Sequence, residues 1–242
     1  MKIIKSVFAC LALLCSASVA CAQFGELTKK VEGMGGSSGL SDSKIGSGLK
    51  EALEKGAENA VAITGKTDGF YGNQAIKILL PKNLRPLEKG LGAMGYQSKI
   101  DAFVLSMNRS AEAAAPEAKK IFRDAVLAMS FDDARKILSG NDTAATDYFK
   151  SKTTDQLTTA FRPYVEKTMS ENGVTQQYDA LAGNLKSIPF AKNEDLDINK
   201  YVVGKALDGL FFMLAEEERK IRKDPAARTT DLLKEVFGNS HR

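Results

Sequence analysis

The chain has 242 residues, 43% of them apolar and 26% charged, with three cysteines, one histidine and no tryptophan. That length suits one large domain or two small ones. The single histidine, His241, is the penultimate residue; this excludes a Ser-His-Asp triad and a Cys-His nucleophile, and leaves a His/Cys zinc site without enough ligands.

The first residues read as a leader. Lys2 and Lys5 form a basic region, and Val7 to Cys15 is an apolar run too short to span a bilayer. Ala20, Cys21 and Ala22 fit an A-x-A cleavage site, so residues 1–22 are read as a secretory signal peptide and set aside from the fold. The same residues allow a second reading. Ser18 to Cys21 resembles a bacterial lipobox, with Ser18 where leucine is usual, and Cys21 would then carry a lipid that anchors the protein to a membrane without spanning it. Both readings place the protein outside the cytoplasm, in the periplasm or cell envelope, as an outer-membrane lipoprotein if Cys21 is acylated. Cleavage after Ala22 would remove Cys10, Cys15 and Cys21, leaving no disulfide. Of the 34 basic residues, loss of Lys2 and Lys5 leaves 32 against 30 acidic ones, a net charge of +2 that gives no reason to expect nucleic-acid binding.

Residues 23–43 are rich in Gly and Ser and read as a flexible tether. A helical domain is expected over 44–238, followed by a disordered tail at 239–242. Ile45, Leu49, Leu53, Ala60 and Ile63 recur at helical spacing and predict a first helix over about Lys44 to Thr64. The loop GKTDGFYGN follows, and then AIKILLP, either a short strand near residues 75–80 or one buried turn. Lys82 to Met94 is the next helical stretch. Ser98 to Ala115 is amphipathic through Ile100, Phe103, Val104, Met107, Ala111 and Ala114, with Ser98 and Asp101 at capping-box spacing. Pro116 starts a helix whose buried face is Ile121, Phe122, Ala125, Val126 and Met129. Ser130 caps a short helix through Leu138, and Gly140 fits the left-handed position past its end. The helix restarts at NDTAATD, and Thr153 with Gln156 suggests a further capping box opening a helix to about Glu171, with Pro163 inside it. A short helix over Thr175 to Leu185 and a loop lead to Asp197, which can cap a long helix from Ile198 to Lys223. Asp224 and Pro225 start a last helix ending at Gly238. The fold class is therefore all-α, a single compact domain of about nine helices.

Met107 to Phe122 (MNRSAEAAAPEAKKIF), Met129 to Thr153 and Leu207 to Gly238 (LDGLFFMLAEEERKIRKDPAARTTDLLKEVFG) resemble the uncharacterised bacterial exported-protein family known as domain of unknown function 4197. The resemblance covers about Gly48 to Gly238. It implies an exported, mainly helical protein and brings no activity, cofactor or catalytic residue.

No Walker loop, no G-x-G-x-x-G after a strand and no EF-hand pattern is present, so no cofactor or metal is assigned. Four constellations remain. At about 100° per residue, Val203, Leu207, Leu210, Phe211, Leu214 and Ile221 share an arc that also contains Glu218. Asp208 lies at its edge, on the side of Arg219 and Arg222. Phe212 and Met213 lie on other faces. Arg222 can pair with Glu218, and Arg228 could fold back onto Asp208 or Glu218. This polar cluster reads either as a clasp holding the last helices to the core or as a functional carboxylate in a pocket. Asn108 and Glu112, four apart, read as surface support opposite the apolar stripe, or as a binding pair. Asp133 can cap its own helix and Asn141 or Asp142 the next, and Tyr148, Lys150 and Lys152 could present a small anion-binding edge. Phe70 and Tyr71 either meet a ligand or plug the end of the bundle.

The leading expectation is a non-enzymatic helical binding or structural module of the bacterial envelope, with an envelope protein, a lipid or a glycan as partner. One alternative is a cell-wall glycan-cleaving enzyme that uses carboxylates alone, Glu218 being the acid. Another is a carrier of lipid or another apolar ligand, walled by Leu210, Phe211, Phe212, Met213 and Leu214.

Overall fold

The computed structural model describes residues 42–82, 84–85, 95–171, 197–228, 231 and 234. They lie in one compact unit, Asp42–Arg242. The leader, the tether as far as residue 41, most of the helix expected over Lys82–Met94, the helix expected over Thr175–Leu185, and nearly all of the stretch from Thr229 to Gly238 lie outside the described residues; Asp42 and Ser43, expected in the tether, are already helical.

The class is all-α, with no strand among the described residues. The elements are α1 (Asp42–Gly65), α2 (Gln97–Ala114), a 3-10 turn (Ala115–Glu117), α3 (Ala118–Leu127), α4 (Phe131–Leu138), α5 (Ala144–Glu171), α6 (Ile198–Lys223) and a second 3-10 turn (Pro225–Ala227). Among the described residues the count of nine helices is not reached.

The two longest helices, α5 and α6, lie antiparallel, so that Glu218 near the end of α6 bonds the first turn of α5. Their shared face carries the core. Phe149, Leu157, Phe161, Val165 and Met169 of α5 are fully buried at i, i+4 and i+8 spacing, and Val202, Ala206 and Leu210 of α6 likewise. Met107, Ala111 and Ala114 of α2 and Phe122 of α3 close the core. The Phe122 and Phe149 rings meet edge to face at 5.0 Å. Along α1, Asn59 donates to Glu217 of α6 at 3.1 Å, and Glu58 pairs with Lys119 of α3 at 3.0 Å.

Several local expectations change. Ser98 does not cap α2: Tyr96 holds the N-cap position without a side-chain bond, and Asp101 instead accepts from Gln97 at 2.8 Å. Thr153 opens no helix, because α5 runs unbroken from Ala144 to Glu171 and the Thr153 hydroxyl donates to the Phe149 carbonyl in the preceding turn. Gly140 does not have positive φ. Space explains it: a Cβ there would lie 2.5 Å from Ala144 Cβ and 2.8 Å from the Lys136 oxygen. AIKILLP forms a turn and then irregular backbone, with no strand.

Other expectations hold. Ser130 and Asp133 form a reciprocal capping box on α4, and Asp197 caps α6 by accepting from the Lys200 amide at 3.0 Å. The two hydrogen bonds from Ser130, side chain first, hold the Asp133 carboxyl below its ordinary pKa. A depressed folded-state pKa contributes stability above the unfolded value, and that contribution is lost as pH falls through the folded one. In an NMR titration the Asp133 carboxyl is therefore expected to titrate below the ordinary aspartate value, and Ser130→Ala to move it upward.

Gly209 answers why a glycine interrupts the apolar run of α6. A Cβ at that position would lie 2.4 Å from Phe70 Cε1 and 3.2 Å from Ile76 Cβ. Phe70 is fully buried and cannot retreat. Gly204, five residues earlier, has nothing within 4 Å of the same position. The same substitution should therefore have opposite signs in one helix. Gly204→Ala is expected to stabilise by about 0.5–1 kcal/mol through helix propensity, and Gly209→Ala to destabilise by about 1–3 kcal/mol through overpacking. Urea denaturation of the two variants checks this.

Candidate functional site

Glu218 is the best-connected acid of the described chain. It lies on the inner face of α6, only 8% exposed. Its Oε1 accepts from the Ala145 amide at 2.9 Å, and its Oε2 accepts from the Thr146 amide and hydroxyl, each at 2.9 Å. Those amides belong to the first turn of α5, where a helix has no internal acceptors and its dipole favours an anion. Arg222, one turn later on α6, reaches Glu218 Oε1 through Nε at 3.0 Å and through Nη2 at 2.9 Å. The same Nη2 donates to the carbonyl of Ile137 at 2.7 Å, in the last turn of α4. One ion pair thus ties the end of α4 and the start of α5 to α6. Lys223 adds an ion pair with Asp142 in the connection between α4 and α5. The cavity beside Glu218 measures about 20 Å³, room for about one water molecule. A sugar ring has no space beside this acid, so the glycan-cleaving expectation finds no support at Glu218.

The rest of the expected cluster does not assemble around Glu218. Asp208 is exposed and pairs with Lys205 at 2.7 Å, which raises the lysine's pKa. It lies ten residues from Glu218, about 15 Å along the helix. Arg219 faces outward and pairs with Glu216. Arg228 is buried but meets neither Asp208 nor Glu218: its Nε donates to the Ile221 carbonyl at 3.0 Å and its Nη2 to the Arg222 carbonyl at 2.8 Å. It therefore satisfies the C-terminal carbonyls of α6, the orphan acceptors that a helix end exposes.

Asn108 and Glu112 are not surface support. Asn108 is fully buried and Glu112 is 4% exposed. The Asn108 amide takes both bonding groups of one residue on the 75–81 segment: Oδ1 accepts from Ile78 N at 2.8 Å, and Nδ2 donates to Ile78 O at 2.8 Å. This is the pairing a strand neighbour would supply, made by a side chain. Tyr201 of α6 donates to the Leu79 carbonyl at 2.9 Å on the same segment, and burial raises its pKa. Glu112 Oε1 accepts from the amides of Phe70 and Tyr71 at 3.0 and 3.1 Å. Arg109 bridges Glu112, at 2.6 Å, and Asp68, at 2.8 Å, and the hydrogen bond to Glu112 raises its pKa further. Asp68 has φ of 62°, a left-handed position that aspartate tolerates in turns. The loop is thereby clamped along α2. Phe70 plugs the bundle against Gly209, and Tyr71 is half-buried with the Lys77 ammonium 3.8 Å from its ring centre.

A protein-family model described as "Protein of unknown function (DUF4197)" matches residues 39–238. The chain belongs to this family. No curated protein and no solved structure matches it. The DUF4197 span opens just ahead of α1 and contains both polar clamps, the one at Glu218 and Arg222 and the one at Asn108 and Glu112.

Sequence reasoning on this DUF4197 chain missed two features. Glu217, 6% exposed, is buried between Asn59 and Lys220; as the middle of three consecutive acids, Glu216 to Glu218, it carried no local sign that it turns inward. The second is a groove between α5 and α6 of about 330 Å³. Its α5 wall is the i, i+4 row Lys150, Thr154, Thr158 and Arg162, and its floor on α6 is Val203, Leu207 and Phe211. Asp208 belongs to its rim. Of the five residues expected to wall an apolar-ligand site, Phe211 lines this groove, Leu210, Met213 and Leu214 are core residues, and Phe212 is 41% exposed elsewhere on α6. Of the anion-binding edge proposed for Tyr148, Lys150 and Lys152, Lys150 alone lies here; Tyr148 donates to the Ala125 carbonyl and Lys152 lies over the Tyr148 ring. Among the described residues no cluster of three metal-ligating side chains occurs.

Proposed function

We propose that this chain is an exported, non-enzymatic helical module of the bacterial envelope that binds a small ligand in the groove between α5 and α6. The groove carries the reading: about 330 Å³ with a mostly apolar floor and a polar rim falls at the lower end of the roughly 300–1,000 Å³ typical of small-molecule sites. Binding is favoured over catalysis because the buried acids are already occupied by the chain itself: Glu218 by α5, Glu112 by the loop at Phe70, and Glu217 by Asn59. The basic leader, the apolar run and the A-x-A pattern ending at Ala22 support export, with Cys21 as the acylation site if the lipobox is used. No helix of the described residues is long and apolar enough to cross a membrane.

Native mass spectrometry of protein recovered from the envelope tests both parts. A bound small-molecule adduct, displaced when Gly204→Leu fills the groove, is the expected result; a clean apo mass would count against the reading. The intact mass of the same sample distinguishes a start at Gln23 from an acylated Cys21, and a chain that retains its leader would refute export.

A further inference from the structure

We propose that the corner between α3 and α4, which exposes Leu127 and Phe131, is a bilayer contact that acts together with an acyl chain on Cys21. It rests on the acylated reading of Cys21 and is independent of the α5–α6 groove. Leu127 and Phe131 are 66% and 63% exposed, the highest values for large apolar side chains among the described residues; the next, Leu79, is 47%. The two are neighbours. Lys50 of α1 donates to the Leu127 carbonyl at 3.5 Å, and one edge of the Phe131 ring lies against Gly46, where an added Cβ would be 3.2 Å from Cε1. Gly46 and Lys50 are one turn apart, so both residues lie along the first turns of α1.

The corner is held from within. Met129, between the two, is buried. The amides of Ala128 and Met129 donate to the carbonyls of Asp124 and Val126 at 3.0 and 3.2 Å, and the Ser130–Asp133 capping box fixes the start of α4. With Met129 turned in, its two apolar flanks are presented outward on a fixed backbone.

The place of this corner on the chain selects a bilayer as what covers it. Asp42, the first residue of α1, follows Cys21 by twenty-one residues. An acyl chain on Cys21 therefore holds the start of α1 within at most about 75 Å of the membrane. A contact too weak to hold a free protein counts on a tethered one, because tethering raises its local concentration. A single acyl chain, in turn, needs a second signal for stable anchoring. The charges around the corner favour no charged partner. α4 carries Asp132 and Asp133 in its first turn and Arg135 and Lys136 in its last, Arg123 pairs with Glu54 at 3.6 Å, and Lys120 pairs with Asp124 at 2.6 Å. The contact is thus made by a leucine and an aromatic ring entering the headgroup–acyl boundary.

The sequence has no tryptophan, so Phe131→Trp places a single fluorophore at the corner. The acylated full chain carrying this substitution is reconstituted into phosphatidylcholine vesicles. Relative to the same protein without lipid, its emission is expected to shift to shorter wavelength, to be quenched by brominated acyl chains, and to be insensitive to high salt. Adding Leu127→Glu is expected to abolish the shift without lowering Tm, since that side chain is exposed. Emission that vesicles leave unchanged, in a sample whose intact mass shows the acyl chain, would overturn the proposal alone. An intact mass that starts at Gln23 would overturn it together with the acylation reading. A shift that appears without lipid and grows with protein concentration would assign the corner to a second copy of the chain and overturn the bilayer as its partner.

Discussion

Glu218→Ala is expected to cost about 3–5 kcal/mol of folding stability, the usual penalty for removing one partner of a buried ion pair. Three donors on α5 and the Arg222 guanidinium lose their acceptor at once. In a domain of this size the loss corresponds to a fall in Tm on the order of 10 °C. Glu218→Gln should cost less, about half, because the amide oxygen still accepts from one α5 amide while the charge facing Arg222 is gone. A double-mutant cycle with Arg222→Met should show strong coupling, since the second substitution removes the charge stranded by the first. Urea denaturation followed by far-UV circular dichroism measures all three. A loss below about 1 kcal/mol for Glu218→Ala would be the value of an exposed pair and would refute the clasp.

The second large effect belongs to the other clamp. Asn108→Ala strands the amide and the carbonyl of Ile78, both in a buried setting. At about 1–3 kcal/mol for each unsatisfied group, the expected loss is about 2–6 kcal/mol. Asn108→Asp keeps the acceptor for Ile78 N but loses the donors to Ile78 and Val104 and buries a charge, so it should be nearly as damaging. Amide hydrogen exchange gives the local readout. Ile78 should lose its protection in Asn108→Ala before the amides of α5 and α6 do, and unchanged protection would show that the segment is held by packing alone.

These two clamps share a design. In each, a buried polar side chain on a long helix takes backbone groups that secondary structure leaves over: the free amides at the start of α5, and the unpaired backbone of a segment that joins no sheet. A loop and a helix start can then be buried without the cost of orphaned donors and acceptors. The bundle is held by packing along α5 and α6 and pinned at its irregular places by a few charged or amide groups.

The helical class, the extents of α1, α2, α3, α4 and α6 to within a few residues, the caps at Ser130 and Asp197 and the inward turn of Glu218 were all readable from the sequence. Each rests on local rules: apolar spacing at the helical period, a short polar side chain at an N-terminus, and the angular position of a residue on a helix. The family, too, was legible in the motifs that run from Met107 to Phe122 and from Leu207 to Gly238. Local rules erred where a second signal of the same form was present without its context. Ser98 and Thr153 have capping spacing, but Ser98 lies inside α2 and Thr153 lies mid-helix with its hydroxyl turned back on Phe149.

Tertiary structure alone decided what the polar residues do. Asp208, Glu218, Arg219, Arg222 and Arg228 lie within twenty-one positions of one another, yet of their side chains only those of Glu218 and Arg222 meet, because the partners that complete them, α5 at Ala145 and α4 at Ile137, are more than seventy residues away in sequence. Asn108 and Glu112 look like surface residues until the loop that they bind is laid over them. The groove depends on two helix faces whose alignment is set by the packing of α5 on α6, and neither face is distinctive alone. The physical reason is common to all three: helix formation and capping are governed by neighbours along the chain, whereas burial of a charge and enclosure of a cavity are governed by whatever distant segment packs there.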